Sequence, residues 1–594
     1  MKVRAFSLPC LLVTCFAMVS VSLAQDDAPP RRFTTGPPAI DDRGPRPGLG
    51  RGNMLTPPGV AGAPDSADIL VNQVLSQPQN ETSFAVNPND DDNWVGVAND
   101  YRSGNVETGW YSTLDGGQTW TTGTFGIDAG FSFSGDPCVT FDVNGDVHIV
   151  CMMYFGPGGS KVTHFRSSNG GLTWSSGTNI SLRSGNDKPQ VDSDFSNGAF
   201  RGSVTTAWDE FSTPSGDHVL ASTSLDGVSW SAAQRINGNV SVTAISPDVA
   251  YGPSSEIYVM WAERGAQKAI WLDKSTDGGA TWSSDVFVTS FTALPFTLPG
   301  STFRIFDIFA ISADWTTGPN SGNVYIAYHT LNNNRADVRC VVSTDGGQTW
   351  PTNNLVHPSA AAGSDQMFPG ICVDPRGNVN VTYYDRRLDP GNLLLWTWVS
   401  RSSDGGATYS EHRASDVGWN HLNEGTFGGG FIGDYIDVAY SSRGIHPFWC
   451  DGRTNDLDVY TDAMNLDLYS DVDTISASAG GTAQFTINAG PNLAGSTYLL
   501  LASGSGTTPG LTLPSGVNIP LNIDVFTQLS LTLANTAILP NSFGVLDGTG
   551  SASAGLSTLG PQPSLAGLTL DFAVVVFATN PVYATLPTRI VFTP

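Results

Sequence analysis

The chain has 594 residues and carries 54 Asp and Glu against 28 Lys and Arg, a formal net charge of -26. So acidic a field repels nucleic acid and anionic membranes and argues against both as partners, while it favours solubility and leaves room for loosely held Ca²⁺.

Residues 1–24 combine Lys2 and Arg4 with an apolar run through Val19 and a Ser22-Leu23-Ala24 exit, the pattern of a cleavable signal peptide, so the mature protein is expected to be secreted and extracellular. No later apolar stretch is long enough to span a bilayer. Residues 25–67 are rich in Pro, Gly and charge and cannot bury enough apolar surface to offset their ordering entropy; they read as a disordered lead-in.

From 68 to 464 one unit recurs. Two alternating runs of β-branched and aromatic residues, such as 136–142 and 147–154 around Asn144-Gly145, read as paired antiparallel strands A and B. A third strand then leads into a box of the form Ser/Thr-x-Asp-Gly-Gly-x-Thr-Trp. The boxes occupy 113–120, 167–174, 224–230, 275–282, 343–350 and 402–409, and their closing aromatics lie 54, 56, 52, 68 and 59 residues apart, a period that suits one four-stranded sheet per repeat. The box explains itself as a turn. Asp115, Asp277, Asp345 and Asp404 can accept nearby backbone N–H groups, the glycines take positive φ without steric cost, and the aromatic starts strand D and packs between sheets. Nothing in it activates a nucleophile.

Counting A/B pairs gives seven units against six boxes. The seventh, near 435–449, has a third strand near 457–460 and no box, so the run 69–75 is expected to supply its outer strand and close a β-propeller. Seven blades are expected, with six as the alternative. From 465 to 594 there is no Trp, Cys or His, and apolar runs separate Gly/Ser/Pro turns, as in a second all-β domain of sandwich type. Five cysteines remain beyond the leader, without metal-ligand spacing. A two-residue turn at Asn144-Gly145 sets Cys138 opposite Cys151, which allows either a disulfide or an unbonded pair.

The B strands end in a regular series of charges: Asp100 and Arg102, Asp209, Glu263 and Arg264, Asp385 and Arg387, Asp451 and Arg453. The A strands begin near Asp136, Asp187, Asp248, Asp307 and Asp434. Blades arranged in a ring bring these groups to one mouth, where carboxylates suit acid/base work or sugar hydroxyls and guanidinium forks suit a ligand carboxylate. The competing reading makes each Asp-x-Arg a local pair, repeated because the blade is repeated.

The boxes resemble those of the Asp-box, or BNR, repeat proteins of the sialidase superfamily, over about residues 69–464. That resemblance implies boxes on the face opposite the ligand site, three arginines on a substrate carboxylate, a Tyr nucleophile with a Glu partner, an Asp acid/base, and a Phe/Tyr-Arg-Ile-Pro string before the first box. Here the only similar string is Phe303-Arg304-Ile305-Phe306, between the fourth and fifth boxes and without the Pro. By position the resemblance puts Tyr435 as nucleophile, Glu424 as its partner and Asp434 beside them. Two functions are then expected as alternatives: a glycoside hydrolase of sialidase type acting on extracellular glycans, or a non-catalytic propeller that binds glycans, cell-surface proteins or matrix proteins, in either case without a cofactor or a structural metal.

Overall fold

The computed structural model describes residues 68–594 except 73–76, 155–158, 184, 214–215, 239–242, 266–267, 359, 361–362, 442–443, 473, 491–492, 508–509, 515–516, 579 and 586. The expected leader and lead-in, 1–67, lie outside the described residues. The chain is all-β, a propeller followed by a sandwich.

The propeller is built from seven four-stranded antiparallel sheets. In six of them the strands follow chain order A to D. The seventh combines Asp437–Ser441, Gly444–Asp451 and Asp458–Thr461 with Ile69–Leu70, which pairs Ile69 with Thr461 and Leu70 with Tyr460. The A strands are Gln79–Asn87, Phe133–Phe141, Asn186–Ser193, Ala244–Tyr251, Ala310–Ala313, Gln366–Val373 and Asp437–Ser441. Each touches its two neighbours, the last returning to the first, so the inner strands form a closed circuit. Apolar residues fill the gaps between sheets: Val95, Val97, Phe141 and Ile149 between the first and second, Met260, Ile270, Val324 and Ile326 between the fourth and fifth. Burying such a side chain contributes about 1.5–3 kcal/mol.

The boxes close C–D turns as their residues require. Asp115 accepts from Thr119 N at 2.8 Å and Thr119 Oγ1 at 2.6 Å, and Thr113 Oγ1 accepts from Gly117 N at 3.0 Å. The same bonds recur at Asp277, Asp345 and Asp404. These bonds hold Asp115 near a pKa of about 2. Strand direction puts the boxes and the A–B turns at one end of the propeller and the A-strand starts with the B–C loops at the other.

Five A strands share an irregularity that positions the site. Their ladders slip between Asn80 and Ser83, Gly135 and Cys138, Asp187 and Gln190, Ile245 and Asp248, and Met367 and Gly370. The bulged residues Glu81, Asp136, Lys188, Ser246 and Phe368 have φ of 57°, 49°, 45°, 58° and 55°. Proline follows four of them, tolerated because a bulge frees the chain from donating to the ladder. A left-handed non-glycine residue costs on the order of 1–3 kcal/mol, and the bulge re-aims its side chain.

The A–B turn of the second blade, 142–146, decides the cysteine geometry. Cys138 pairs with Val150, one residue out of the register that would face it with Cys151, so the two cysteines project from opposite faces of the sheet; both are unbonded.

The C-terminal domain packs a three-stranded sheet against a six-stranded one around Phe485, Leu500, Phe572 and Val574. One helix was not read in the sequence, Val525–Thr532, begun by a capping box of Asp524 and Thr527. The domain is tied to the sixth blade through buried Asp467, which accepts from Arg401 at 2.9 Å and from Tyr583 Oη at 2.7 Å and lies 2.6 Å from Arg376. Among the described residues no helix is long and apolar enough to cross a membrane, and no group of three or more His, Cys, Asp or Glu is arranged to hold a metal ion.

Candidate functional site

At the A-strand end lies a cavity of about 670 Å³ over the first three blades. The bulges of those blades deliver Glu81, Asp136 and Lys188 to it, and Asp187 precedes the third bulge. Two loops close it from the far side, bringing Arg304 and Phe306 from one and Phe431 and Asp434 from the other. Asn99 stitches the first two bulges together, donating to Glu81 Oε2 at 2.6 Å and accepting from Asp136 N at 2.9 Å. Tyr154 Oη donates to Asp136 Oδ2 at 2.8 Å and Asp187 Oδ1 at 3.0 Å. Lys188 Nζ sits 3.3 Å from Asp434 Oδ2 and 4.0 Å from Glu81 Oε1.

Four carboxyl groups in so small a volume cannot all ionise, and their environments sort them. Burial, reinforced by Asp136, raises Asp187 to a pKa of about 7. Burial likewise pushes Glu81 well above the usual carboxylate range, Lys188 notwithstanding, with Asp136 and Asp434 adding to it. Burial opposes ionisation of Asp136 too, yet Lys188 and hydrogen bonds from Glu81, Asp187 and Tyr154 outweigh it and hold that carboxyl below the usual range. Lys188 stays charged because Glu81, Asp434, Asp136 and Asp187 surround it and overcome its own desolvation. The cluster therefore holds a carboxylate, Asp136, hydrogen-bonded to acids that keep their protons near neutrality.

The cations at this mouth are paired. Arg304 closes its fork on Asp434, Nε to Oδ1 at 3.0 Å and Nη2 to Oδ2 at 2.7 Å, with its guanidinium 4.8 Å from the Phe306 ring and 4.4 Å from the Phe431 ring. Arg264 lies 4.9 Å from the same Phe306 ring and 3.7 Å from Asp307. Partly exposed Phe133, stacked on Tyr154 at 4.5 Å, adds an aromatic wall.

Of the residues expected here, the cavity gathers Asp136, Asp187, Asp434 and Arg264. Three Asp-x-Arg pairs are local instead. Arg102 bonds Asp100 at 2.6 Å and lies 5.9 Å over the Tyr111 ring; Arg387 bonds Asp385 at 2.7 Å and lies 4.1 Å over Trp398; Arg453 bonds Asp451 at 2.8 Å and lies 4.1 Å over Tyr460. Each guanidinium is folded back onto its own sheet, where a strand C aromatic receives it, so these arginines do not converge on a ligand. Asp209 accepts from the bulged Ser246 N at 2.7 Å, and Glu263 accepts from Trp271 Nε1 at 3.1 Å. Asp248 reaches the next blade, accepting from Ile311 N at 2.9 Å. Asp307 neighbours Arg264 and Lys268 outside the cavity lining.

The Tyr–Glu pair is corrected as well. Glu424 is taken up by the backbone, accepting from Thr426 N at 2.6 Å and Phe427 N at 2.7 Å, which shapes the loop that carries Phe431. Burial, followed by Glu81 and Asp136, pushes the Tyr435 phenol well above its ordinary value, the wrong direction for a nucleophile.

Glu81, Lys188 and Tyr154 were not singled out from the sequence. One signal was available: aligned on the A strands, Asp136-Pro137, Lys188-Pro189, Ser246-Pro247 and Phe368-Pro369 place one variable residue before a proline in successive repeats. Arg304, from the displaced Phe-Arg-Ile string, does reach the mouth.

No family model and no curated protein matches this sequence. Among solved structures the chain is similar to a Hadza microbial sialidase, with 16% identity, a TM-score of 0.36 and coverage of 52% of this chain; this chain spans 63% of that one. It is also similar to the GH93 α-L-arabinofuranosidase of Fusarium graminearum, with 12% identity, a TM-score of 0.38 and coverage of 57% and 98%. An ulvan lyase of a new polysaccharide lyase family matches with 11% identity, a TM-score of 0.40 and coverage of 67% and 94%.

Proposed function

We propose that the protein is an exported, glycan-active propeller whose mouth cleaves a glycosidic bond in a neutral glycan. One observation carries the reading: Asp136, kept ionised, shares hydrogen bonds with Asp187 and Glu81, kept protonated, beside a cavity large enough for a short oligosaccharide. Carboxyl groups whose proton affinities are driven apart divide into base and acid. Asp187, titrating near neutrality, is matched to proton donation to the leaving oxygen, and Asp136, hydrogen-bonded to it, is matched to holding that proton in place at the scissile bond. Phe133, Phe306 and Phe431 offer the apolar faces on which sugar rings rest.

A sialic acid is disfavoured by the same geometry. A sugar carboxylate needs an open guanidinium fork, and Arg304 already gives its Nε–Nη2 edge to Asp434. Drawing that edge onto a ligand acid would leave the buried Asp434 with Lys188 alone.

The experiment is a hydrolysis screen of neutral oligosaccharides and sialosides with the purified chain, followed by Asp136→Asn and Asp187→Asn on any hit. Cleavage of a neutral glycan that falls by about 10²–10⁴ in either variant, the usual contribution of acid–base catalysis, supports the reading. Preferential cleavage of sialosides, or binding of neutral glycans with no turnover, overturns it, and the second result leaves a glycan-binding propeller.

A further inference from the structure

A second cavity, of about 840 Å³, runs down the axis along the A strands, from Thr82 and Tyr435 beside the mouth to the A–B turns at the other end, where Pro520, Ala584 and Thr585 of the C-terminal domain border it. It shares no lining residue with the mouth. Five of the seven A–B connections here are short; 194–203 in the third blade and 314–323 in the fifth are long.

Those two are one loop built twice. Asp194 and Asp314 accept from the N–H two residues on, Ser196 at 2.8 Å and Thr316 at 2.9 Å. The hydroxyls of Ser196 and Thr316 accept from Gly198 N at 3.0 Å and Gly318 N at 3.1 Å. The Asp carbonyls accept from Gly202 N at 2.9 Å and Gly322 N at 2.8 Å. Carboxylate, hydroxyl and glycines account for the turn. What both copies hold besides is an aromatic after the Asp, Phe195 and Trp315, and the turn has no use for either. Both rings line the cavity, partly exposed, with centroids 6.1 Å apart and planes at 45°. They meet because the fourth blade between them has a short turn, which the first loop hugs: a Cβ on Gly198 would come 2.1 Å from Ser255 Oγ.

The chemistry around the rings selects the ligand. Arg201 Nη1 is bound to the carbonyls of Phe195 and Ser196, both at 2.6 Å, and Arg376 is held by Asp467 with its guanidinium 5.1 Å over Tyr583. Arg401, the third arginine of the lining, is likewise held by Asp467, at 2.9 Å. Amide and carboxyl groups, Asn89, Gln190 and Asp192, alternate with the aromatic surface. Hydrogen-bonding groups beside aromatic faces, in a lining where carboxyl groups outnumber arginines, fit a neutral, hydroxyl-rich molecule with apolar ring faces. We propose that the duplicated loop forms a second saccharide site, holding two or three sugar units of a neutral glycan on Phe195 and Trp315. The site stands apart from the mouth and does not rest on cleavage occurring there.

Isothermal titration of the full chain with cello-, xylo-, manno- and galacto-oligosaccharides tests it, in the Asp136→Asn background so that no hit is consumed. Binding should weaken about tenfold or more in Trp315→Ala and in Phe195→Ala, stay within about threefold of the parent in Trp315→Phe, which keeps an aromatic face, and be insensitive to salt. Melting temperatures of the variants show whether a loss is local. The proposal is overturned if no oligosaccharide binds, if binding is the same in Trp315→Ala and Phe195→Ala as in the parent, or if it falls with salt. Failure of the mouth reading shows as absent turnover and leaves ring-dependent binding intact, so the two are separable.

Discussion

Replacing Lys188 by Met removes the charge on which the mouth cluster depends while keeping most of the side chain's volume. Lys188 Nζ lies 3.3 Å from Asp434 Oδ2, a gross attraction of about 5 kcal/mol at an effective dielectric near 20. Much of that is offset by desolvating the ammonium, but deletion leaves buried carboxyl groups uncompensated, and breaking such a pair costs about 3–5 kcal/mol. Arg304 remains on Asp434, so the lower end is expected. The loss should also depend on pH. Without Lys188 the folded-state proton affinities of Asp187 and Glu81 rise further above their unfolded values and Asp136 loses the cation that holds it low, and a carboxyl raised in the folded state loses stability as pH rises through that window. The penalty at pH 8 should therefore exceed that at pH 5 by more than about 1 kcal/mol, since one pKa unit corresponds to about 1.4 kcal/mol. Tryptophan fluorescence during urea unfolding isolates the propeller, because the last of the 15 tryptophans is Trp449. A loss under 1 kcal/mol at pH 8, or one equal at both pH values, would refute the assignment of Lys188 as the cluster's counter-charge.

Four shorter tests bear on the rest of the molecule. Asp248, raised to about 7 by burial, binds a proton in the folded state that the unfolded chain has released, so stability should fall between pH 4 and 7; Asp248→Asn should flatten that slope in urea titrations and be the more stable protein at pH 8 by about 1–2 kcal/mol, allowing for water in the axial cavity. Asn72 accepts from Val459 N at 2.7 Å and donates to Asp458 at 2.8 Å, fastening the closing strand, and Asn72→Ala should cost about 1–3 kcal/mol in the same unfolding assay. Asp115→Ala should lower stability by about 1–2 kcal/mol and leave glycan affinity unchanged by calorimetry. Arg387→Ala should likewise register in the melting temperature and not in glycan affinity; a selective loss of affinity would restore the reading of the Asp-x-Arg pairs as ligand groups.

The ring was legible because its signals are local. A box such as 113–120 carries its own turn chemistry, and the missing seventh box pointed to Ile69 and Leu70 as the closing strand. The site was less legible because it depends on single-residue slips in register. The expected two-residue turn at Asn144-Gly145 misplaces the ladder by one residue, which separates Cys138 from Cys151, and the bulge between Gly135 and Cys138 turns Asp136 toward the mouth. Charge recurrence misled for a related reason: Asp100, Asp385 and Asp451 recur in three blades as the same local cap for an arginine, and a group that serves its own blade does not mark a shared site.

Chemistry in a repeated fold must instead come from positions where the repeats differ in side chain and agree in backbone. The bulge before strand A is such a position. Its left-handed geometry recurs in five blades, so each side chain is delivered to the axis in the same way, yet the residues are Glu81, Asp136, Lys188, Ser246 and Phe368. Strain of about 1–3 kcal/mol per bulge has no return in packing at the polar three, which lie side by side in adjacent blades and interlock through Asn99 and Tyr154. It is accounted for if the mouth works off-axis, over the first three blades, with Arg304 and Asp434 closing it from the opposite wall. The loop duplicated at the other end follows the same logic, with backbone and turn residues held constant while the one side chain the turn does not use, Phe195 or Trp315, is aromatic in both copies and meets its counterpart across the axis.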